Sequence, residues 1–203
     1  MKIIFATHNE GKVKEIKEIF AGLPVEVVSA EEAGIHEDPI EDGKTFEENA
    51  AKKVKFVAEK LKEKEWVLAD DSGICIAALH GAPGVRSARW AGEGASGVQI
   101  AAYTLEKMKD VPEDKRSAYF QCAMVLLSPE GESFSFFGRV DGTITMEPHG
   151  EAHPKLPYDA IFIPKDQQKA FTELSPELKN LISHRGRAMQ FVKEFLVQRG
   201  LAV

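Results

Sequence analysis

Near the start of the chain the spacing of apolar residues changes from that of a strand to that of a helix, and this switch limits the fold more than any other feature. Lys2 to Thr7 is a short apolar run that ends in polar residues and reads as a buried strand. Val13, Ile16, Ile19 and Phe20 then recur at helical spacing. Val25 to Ser29 reads as a second strand, followed by a polar loop containing Gly34, Pro39 and Gly43. Thr45 and Glu48 form a capping box ahead of a helix whose buried face carries Phe46, Ala50, Val54, Val57 and Leu61. Trp66 to Ala69 is a third strand, ending at Asp70-Asp71-Ser72-Gly73.

The second half has a different rhythm. Ile74 to Leu79 is apolar, Gly81 to Gly94 is loop-like, and Gly97 to Lys109 is a helix. Arg116 to Leu127 and Ser133 to Thr145 are long strands joined by Ser128-Pro129-Glu130-Gly131, which predicts a hairpin. Tyr158 to Ile163 is a further strand, and Ser175-Pro176 starts a short helix. Ser183 caps a last helix, which carries Ala188, Phe191, Val192, Phe195 and Leu196 and stops near Gly200. Early alternation of strand and helix, with a later hairpin, predicts an α/β protein with a mixed sheet flanked by helices.

Composition narrows the function. The 203 residues fit one domain, 1–203, with two lobes. A net charge of −6 argues against polymeric nucleic acid, whose binding needs a dense basic face, but leaves small anions open. No apolar run approaches the roughly 20 residues of a membrane span, and the run at the start is too short for a signal-peptide core. Cys75 and Cys122 lie in apolar surroundings and read as free buried thiols, which fits a cytoplasmic location.

Four groups of residues carry candidate chemistry. Thr7-His8-Asn9-Glu10-Gly11-Lys12 lies between a strand and a helix, where backbone amides, the helix dipole and Lys12 suit a phosphate; an ordinary capped loop is the alternative. It lacks the glycine spacing and Gly-Lys-Ser/Thr ending of a P-loop. Asp70 and Asp71, with Glu41 as a possible third carboxylate, can ligate Mg²⁺ and orient or deprotonate a water, or simply form a solvated turn. Lys53 sits at the edge of its helix's apolar arc, whereas Lys52 and Lys55 point away from it. Lys179 precedes His184 and Arg185, which lie at a helix start where basic residues oppose the dipole; they suit a ligand or a tertiary ion pair.

Together these stretches resemble the inosine/xanthosine triphosphate pyrophosphatases, enzymes that remove non-standard purine nucleotides. The matching segments are ATHNEGKVKEI (6–16), DGKTFEENAAKK (42–53), LADDSG (68–73), GAPGVRSARWAG (81–92) and ISHRG (182–186). The resemblance implies an elongated two-lobed α/β fold with a central cleft, usually a homodimer. It implies Mg²⁺-dependent hydrolysis of ITP, dITP or XTP to the monophosphate and pyrophosphate. By residue match, Thr7, His8, Asn9, Glu10, Gly11 and Lys12 cradle phosphates and Lys53 adds charge. Glu41 and Asp71 hold Mg²⁺, helped by Asp70. Asp71 is also the general base, and Ser72 contacts the substrate. Lys179, His184 and Arg185 surround the nucleotide, the last two near the base.

One stretch departs from the family pattern. Where the family has Gly-Phe-Gly-Tyr-Asp-Pro at the base pocket, this chain reads Lys155-Leu156-Pro157-Tyr158-Asp159-Ala160. Leu156 replaces the ring that would stack on the base, and Pro157 removes an N–H. Tyr158 and Asp159 remain. This predicts weakened or altered discrimination among bases. A nucleotide-binding protein that has lost turnover is the alternative. A phosphatase using the Asp pair is disfavoured, because the Asp-x-Asp spacing is missing.

Overall fold

The computed structural model describes residues 1–150 and 156–201. Six strands, β1 (Lys2–Phe5), β2 (Glu26–Ser29), β3 (Trp66–Ile76), β4 (Ser117–Leu127), β5 (Ser133–Ile144) and β6 (Phe162–Pro164), form one sheet in the order β2-β1-β3-β4-β5-β6. β1 pairs in parallel with β2 and β3, and β5 pairs antiparallel with β6, so the sheet is mixed as expected. Five helices accompany it: α1 (Glu10–Ile19), α2 (Phe46–Lys60), α3 (Gly97–Lys107), α4 (Pro176–Ile182) and α5 (His184–Gln198). No helix among the described residues is long and apolar enough to cross a membrane.

The chain divides into two compact units. The first comprises Met1–Asp71, Cys122–Gly138 and Arg185–Val203. β1 and the first half of β3 are covered on both faces, which explains why β1 reads as an unbroken apolar run. Ile3, Phe5 and Leu68 pack with Ile16 of α1, with Phe20 just past its end, and with Met189 and Val192 of α5. Ile4, Val67 and Ala69 pack with Ala50, Val54 and Val57 of α2. Successive strand residues therefore serve opposite cores, the expected period of two.

The second unit comprises Ser72–Gln121 and Arg139–His184. Its core joins Ile74 and Ile76 of β3, Ile100 and Met108 at α3, Phe120 of β4, Val140 of β5, and Tyr158, Phe162 and Phe171. Arg116 is 1% exposed and donates only to carbonyls in the described contacts: Met108 and Val111 beyond α3, and Ile144 and Thr145 at the end of β5. Its guanidinium thus ties carbonyls of the turn beyond α3 to those at the end of β5. Gly142 is required where β6 crosses, since a Cβ there would lie 2.3 Å from the Ile163 carbonyl.

Several local expectations are corrected. Asp70-Asp71-Ser72-Gly73 is not a turn, because β3 runs unbroken from Trp66 to Ile76. Asp159–Ile161, with Tyr158 as N-cap, form a 3-10 turn rather than a strand, and the strand begins at Phe162. Thr45 Oγ1 accepts from Glu48 N as predicted, but the Glu48 carboxylate reaches back to the amide of Lys44 instead of Thr45. The reciprocal capping box occurs at Ser96 and Gln99 of α3. Cys75 and Cys122 are buried free thiols, as expected.

Candidate active site

The alternation of β3 decides the site's layout. Asp70 follows the register of Leu68 toward α1 and α5, and Asp71 follows Ala69 toward α2. Asp70, 1% exposed, accepts from Lys12 Nζ at 2.8 Å on one oxygen and faces Arg185 Nε at 3.2 Å on the other. Arg185 also meets Glu15 at 3.3 Å. Burial alone would raise the Asp70 pKa, but Lys12, Arg185 and Lys53 outweigh it and hold the carboxyl well below its ordinary value. For Arg185, burial opposes the charge, while Asp70 and Glu15 more than restore it and raise its pKa.

Asp71 has different neighbours. Its Oδ2 accepts from Asn49 Nδ2 at 2.9 Å, and Asn49 Oδ1 in turn accepts from the amide of Gly43 at 2.8 Å. A Cβ on residue 43 would stand 2.5 Å from that amide oxygen, so glycine permits the contact that orients Asn49. Lys53 Nζ lies 3.0 Å from Glu41, 3.9 Å from Asp71 and 3.2 Å from the Asp70 carbonyl. Burial raises the Asp71 pKa, opposed by Lys53 and Asn49 and reinforced by Glu41 and Asp70. Burial works against the charge on Lys53, but Asp71, Asp70 and Glu41 prevail and raise its pKa. The two neighbouring aspartates are thus tuned in opposite directions.

The loop before α1 is a capped helix start. Asn9 Oδ1 accepts from the amides of Gly11 and Lys12, and Thr7 Oγ1 accepts from that of Asn9. His8 faces Glu31 and Asp38, at 3.4 and 3.5 Å, and Glu10 is the exposed first residue of α1. A groove of about 840 Å³ touches Thr7, His8 and Glu10, but Lys12, Lys53, Asp70, Asp71 and Arg185 do not line it. The charged cluster is therefore separate from this groove.

Three cations, Lys12, Lys53 and Arg185, stand among four carboxylates, Glu15, Glu41, Asp70 and Asp71. The cluster is one charge negative, an unfavourable place for a triphosphate and a favourable one for a divalent cation. Glu41 and Asp71 offer hard oxygen donors, and Mg²⁺ is commonly held by one or two carboxylates plus substrate phosphates. That donor set fits Mg²⁺. Asp70 is not brought to this pair, since both of its oxygens are engaged with cations on the other face of the sheet. Among the described residues no three His, Cys, Asp or Glu side chains form a closed metal cage.

The second unit gathers the remaining candidates. Ser72 follows Asp71 on β3. Leu156 and Pro157 are half-buried, and Lys155 lies outside the described residues. Tyr158 is buried and donates its hydroxyl to the Ser87 carbonyl at 2.8 Å. Asp159 pairs with Lys179, whose ammonium lies 5.8 Å from the Phe171 ring centre. His184 stacks flat on Phe120, with ring centres 4.7 Å apart and planes 8° from parallel. The sequence reading did not single out Asn49, Glu15, Ser87 or Phe120 as site residues. Asn49, Glu15 and Ser87 did lie within segments that carried the resemblance, but Phe120 becomes visible only through tertiary contacts.

A model of the Ham1 family matches residues 3–195. The chain belongs to the Ham1 family. It is 40% identical over 200 residues to a dITP/XTP pyrophosphatase of Geobacter sulfurreducens, covering 98% of each chain. It is 42% identical over 193 residues to a protein of the same name from Bacillus subtilis, covering 95% of this chain and 96% of that one. Among solved structures, the Staphylococcus aureus Ham1 protein is 35% identical and superposes with a TM-score of 0.87 over 98% of this chain and 100% of its own. A HAM1 protein from Coxiella burnetii gives 33% identity and the same TM-score, covering 98% and 99%. The sequence resemblance and the mixed α/β fold are both established by these matches.

Proposed function

We propose that this Ham1-family chain is a Mg²⁺-dependent hydrolase that converts the non-standard purine triphosphates ITP, dITP and XTP to monophosphate and pyrophosphate. The observation that carries the reading is the placement of Asp71 beside Glu41, Asn49 and Lys53, while Asp70 is held between Lys12 and Arg185, in a chain whose relatives bear the name dITP/XTP pyrophosphatase. A carboxylate with a raised pKa is the better proton acceptor, so Asp71 is the general base. Asp70, bound to Lys12 and Arg185, holds those cations in position instead of accepting protons.

In the step itself, Asp71 takes a proton from a water whose oxygen attacks the α-phosphorus. The new P–O bond forms as the bond to the α–β bridging oxygen breaks, and pyrophosphate leaves with that electron pair. Asn49 and Lys53 fix the Asp71 carboxylate, and Asp71 returns its proton to solvent. Lys12, Lys53, Lys179 and Arg185 supply charge for the phosphates. When bound, Mg²⁺ would be held by Glu41 and Asp71 and would neutralise phosphate charge. Thr7 to Lys12 border the phosphates and Ser72 contacts substrate. Leu156 to Asp159, with His184, form the base end, where loss of the stacking ring weakens or alters base selection. A cytoplasmic homodimer completes the proposal.

Incubating the protein with Mg²⁺ and ITP, XTP, dITP, GTP or ATP, and identifying the released anion, tests this reading. Pyrophosphate supports it. Orthophosphate release, or nucleotide binding without turnover, overturns it. Light scattering tests the dimer separately.

A further inference from the structure

The base end of the proposed site is built on one ring that the reaction itself does not use. Phe120 is 6% exposed, and its face carries the His184 imidazole in the parallel stack described above. Tyr158 meets it edge-on at 6.2 Å and 75°, and Phe162 does so at 4.8 Å and 76°. Phe171 lies 6.0 Å from Phe120, with the Lys179 ammonium over its own ring. Three proposed nucleotide contacts, Tyr158, Lys179 and His184, therefore lean on Phe120 directly or through one further ring.

These supports constrain different freedoms. Stacking fixes the plane of the imidazole and thus the direction of its nitrogens. The edge contact, with the hydroxyl donated to Ser87, fixes the Tyr158 ring at both ends. Asp159, next in sequence, is paired with Lys179 and so inherits the same placement. In this chain residue 156 is Leu, so base recognition depends more on the directed polar groups at 159 and 184 and less on stacking at 156. Loosening the ring beneath them disturbs recognition of the base without touching the phosphate cluster of the first unit.

We infer that Phe120 is the positioning residue for base recognition: its ring sets the orientation of His184 and Tyr158 and so governs affinity for the purine end of the nucleotide. This rests on the proposed function. The test compares wild type with Phe120→Leu, which keeps an apolar side chain but loses the flat face, and Phe120→Tyr, which keeps the face. Two inhibitors separate the ends of the site: inosine monophosphate carries the base, and inorganic tripolyphosphate does not.

For Phe120→Leu the expected result is an inhibition constant for inosine monophosphate, and a KM for ITP, raised about tenfold, with kcat within about threefold of wild type. Inhibition by tripolyphosphate stays unchanged, and Phe120→Tyr restores wild-type values. A second measurement, independent of turnover, is the carbon-bound imidazole proton resonance of His184 in the free protein, assigned with His184→Gln. It should move downfield in Phe120→Leu as the ring current is lost, and stay near its wild-type position in Phe120→Tyr. Inosine monophosphate and tripolyphosphate affinities that weaken together, or an unmoved His184 resonance, overturn the inference. If Phe120→Leu fails to fold, the Phe120→Tyr result still decides, because loss of inosine monophosphate affinity with the ring retained also overturns it. A wild type that cleaves no triphosphate overturns the proposed function instead, and the resonance shift then reports the His184 stack alone.

Discussion

Replacing Asp70 with Asn should destabilise the fold by about 3–5 kcal/mol, the range for removing one partner of a buried ion pair. The structure gives the reason. Asp70 is 1% exposed and carries the negative charge between Lys12 at 2.8 Å and Arg185 at 3.2 Å. Asparagine keeps the shape and removes the charge, leaving Lys12 and Arg185, both largely buried, without the carboxylate between them. For a chain of this length the loss corresponds to a melting point lower by roughly 6–20 °C. Urea unfolding followed by circular dichroism, in chelator so that metal plays no part, measures it. The pH dependence provides a second check. Because the folded pKa is depressed below the ordinary 3.8, the Asp70 contribution is fully present above that value and is lost as pH falls through the folded pKa. The gap between wild type and Asp70→Asn should therefore be constant from pH 8 to about pH 5 and narrow below about pH 3.8. A loss under about 1 kcal/mol, or a gap equally wide at pH 3, would refute the reasoning.

Asp71→Asn should behave oppositely: activity falls by about 10²–10⁴-fold, while the chelated protein is at least as stable at pH 7, because ionising a buried carboxyl of raised pKa costs folding energy. Parallel rate and melting measurements decide, and near-normal turnover removes Asp71 as the base. Lys53→Met strips the shared cation from Glu41 and Asp71, so the acid limb of the metal-free Asp71 titration, followed by carboxyl NMR, should move to higher pH. An unchanged midpoint would show that Lys53 does not tune the pair. Leu156→Phe should return a stacking face and raise kcat/KM for ITP by about two- to tenfold, and equal gains for GTP and ATP would mean the ring adds affinity without selectivity.

The sequence displayed the elements of the fold through apolar spacing, because strands buried on both faces and helices with one apolar stripe leave clear periodicities. Local propensity failed at Asp70 to Gly73. Asp, Ser and Gly favour turns, yet the strand continues, since Lys12 and Arg185 serve one aspartate and Asn49 and Lys53 the next. The division of labour between the two carboxylates was therefore hidden until the faces of β3 were known. Lys53 was legible from its angle on α2. Asn49 was not, because its role depends on Gly43 lacking a side chain. Arg116 and Phe120 read as ordinary strand residues, and only tertiary packing reveals one as a clasp on carbonyls beyond α3 and at the end of β5, and the other as the floor beneath His184.

The most direct test of the central claim is where the attacking oxygen ends. Hydrolysis of ITP in ¹⁸O-water, read by ³¹P NMR isotope shifts, should place the label in inosine monophosphate and leave pyrophosphate unlabelled, as attack at the α-phosphorus requires. Label in pyrophosphate, or release of labelled orthophosphate, would contradict the account.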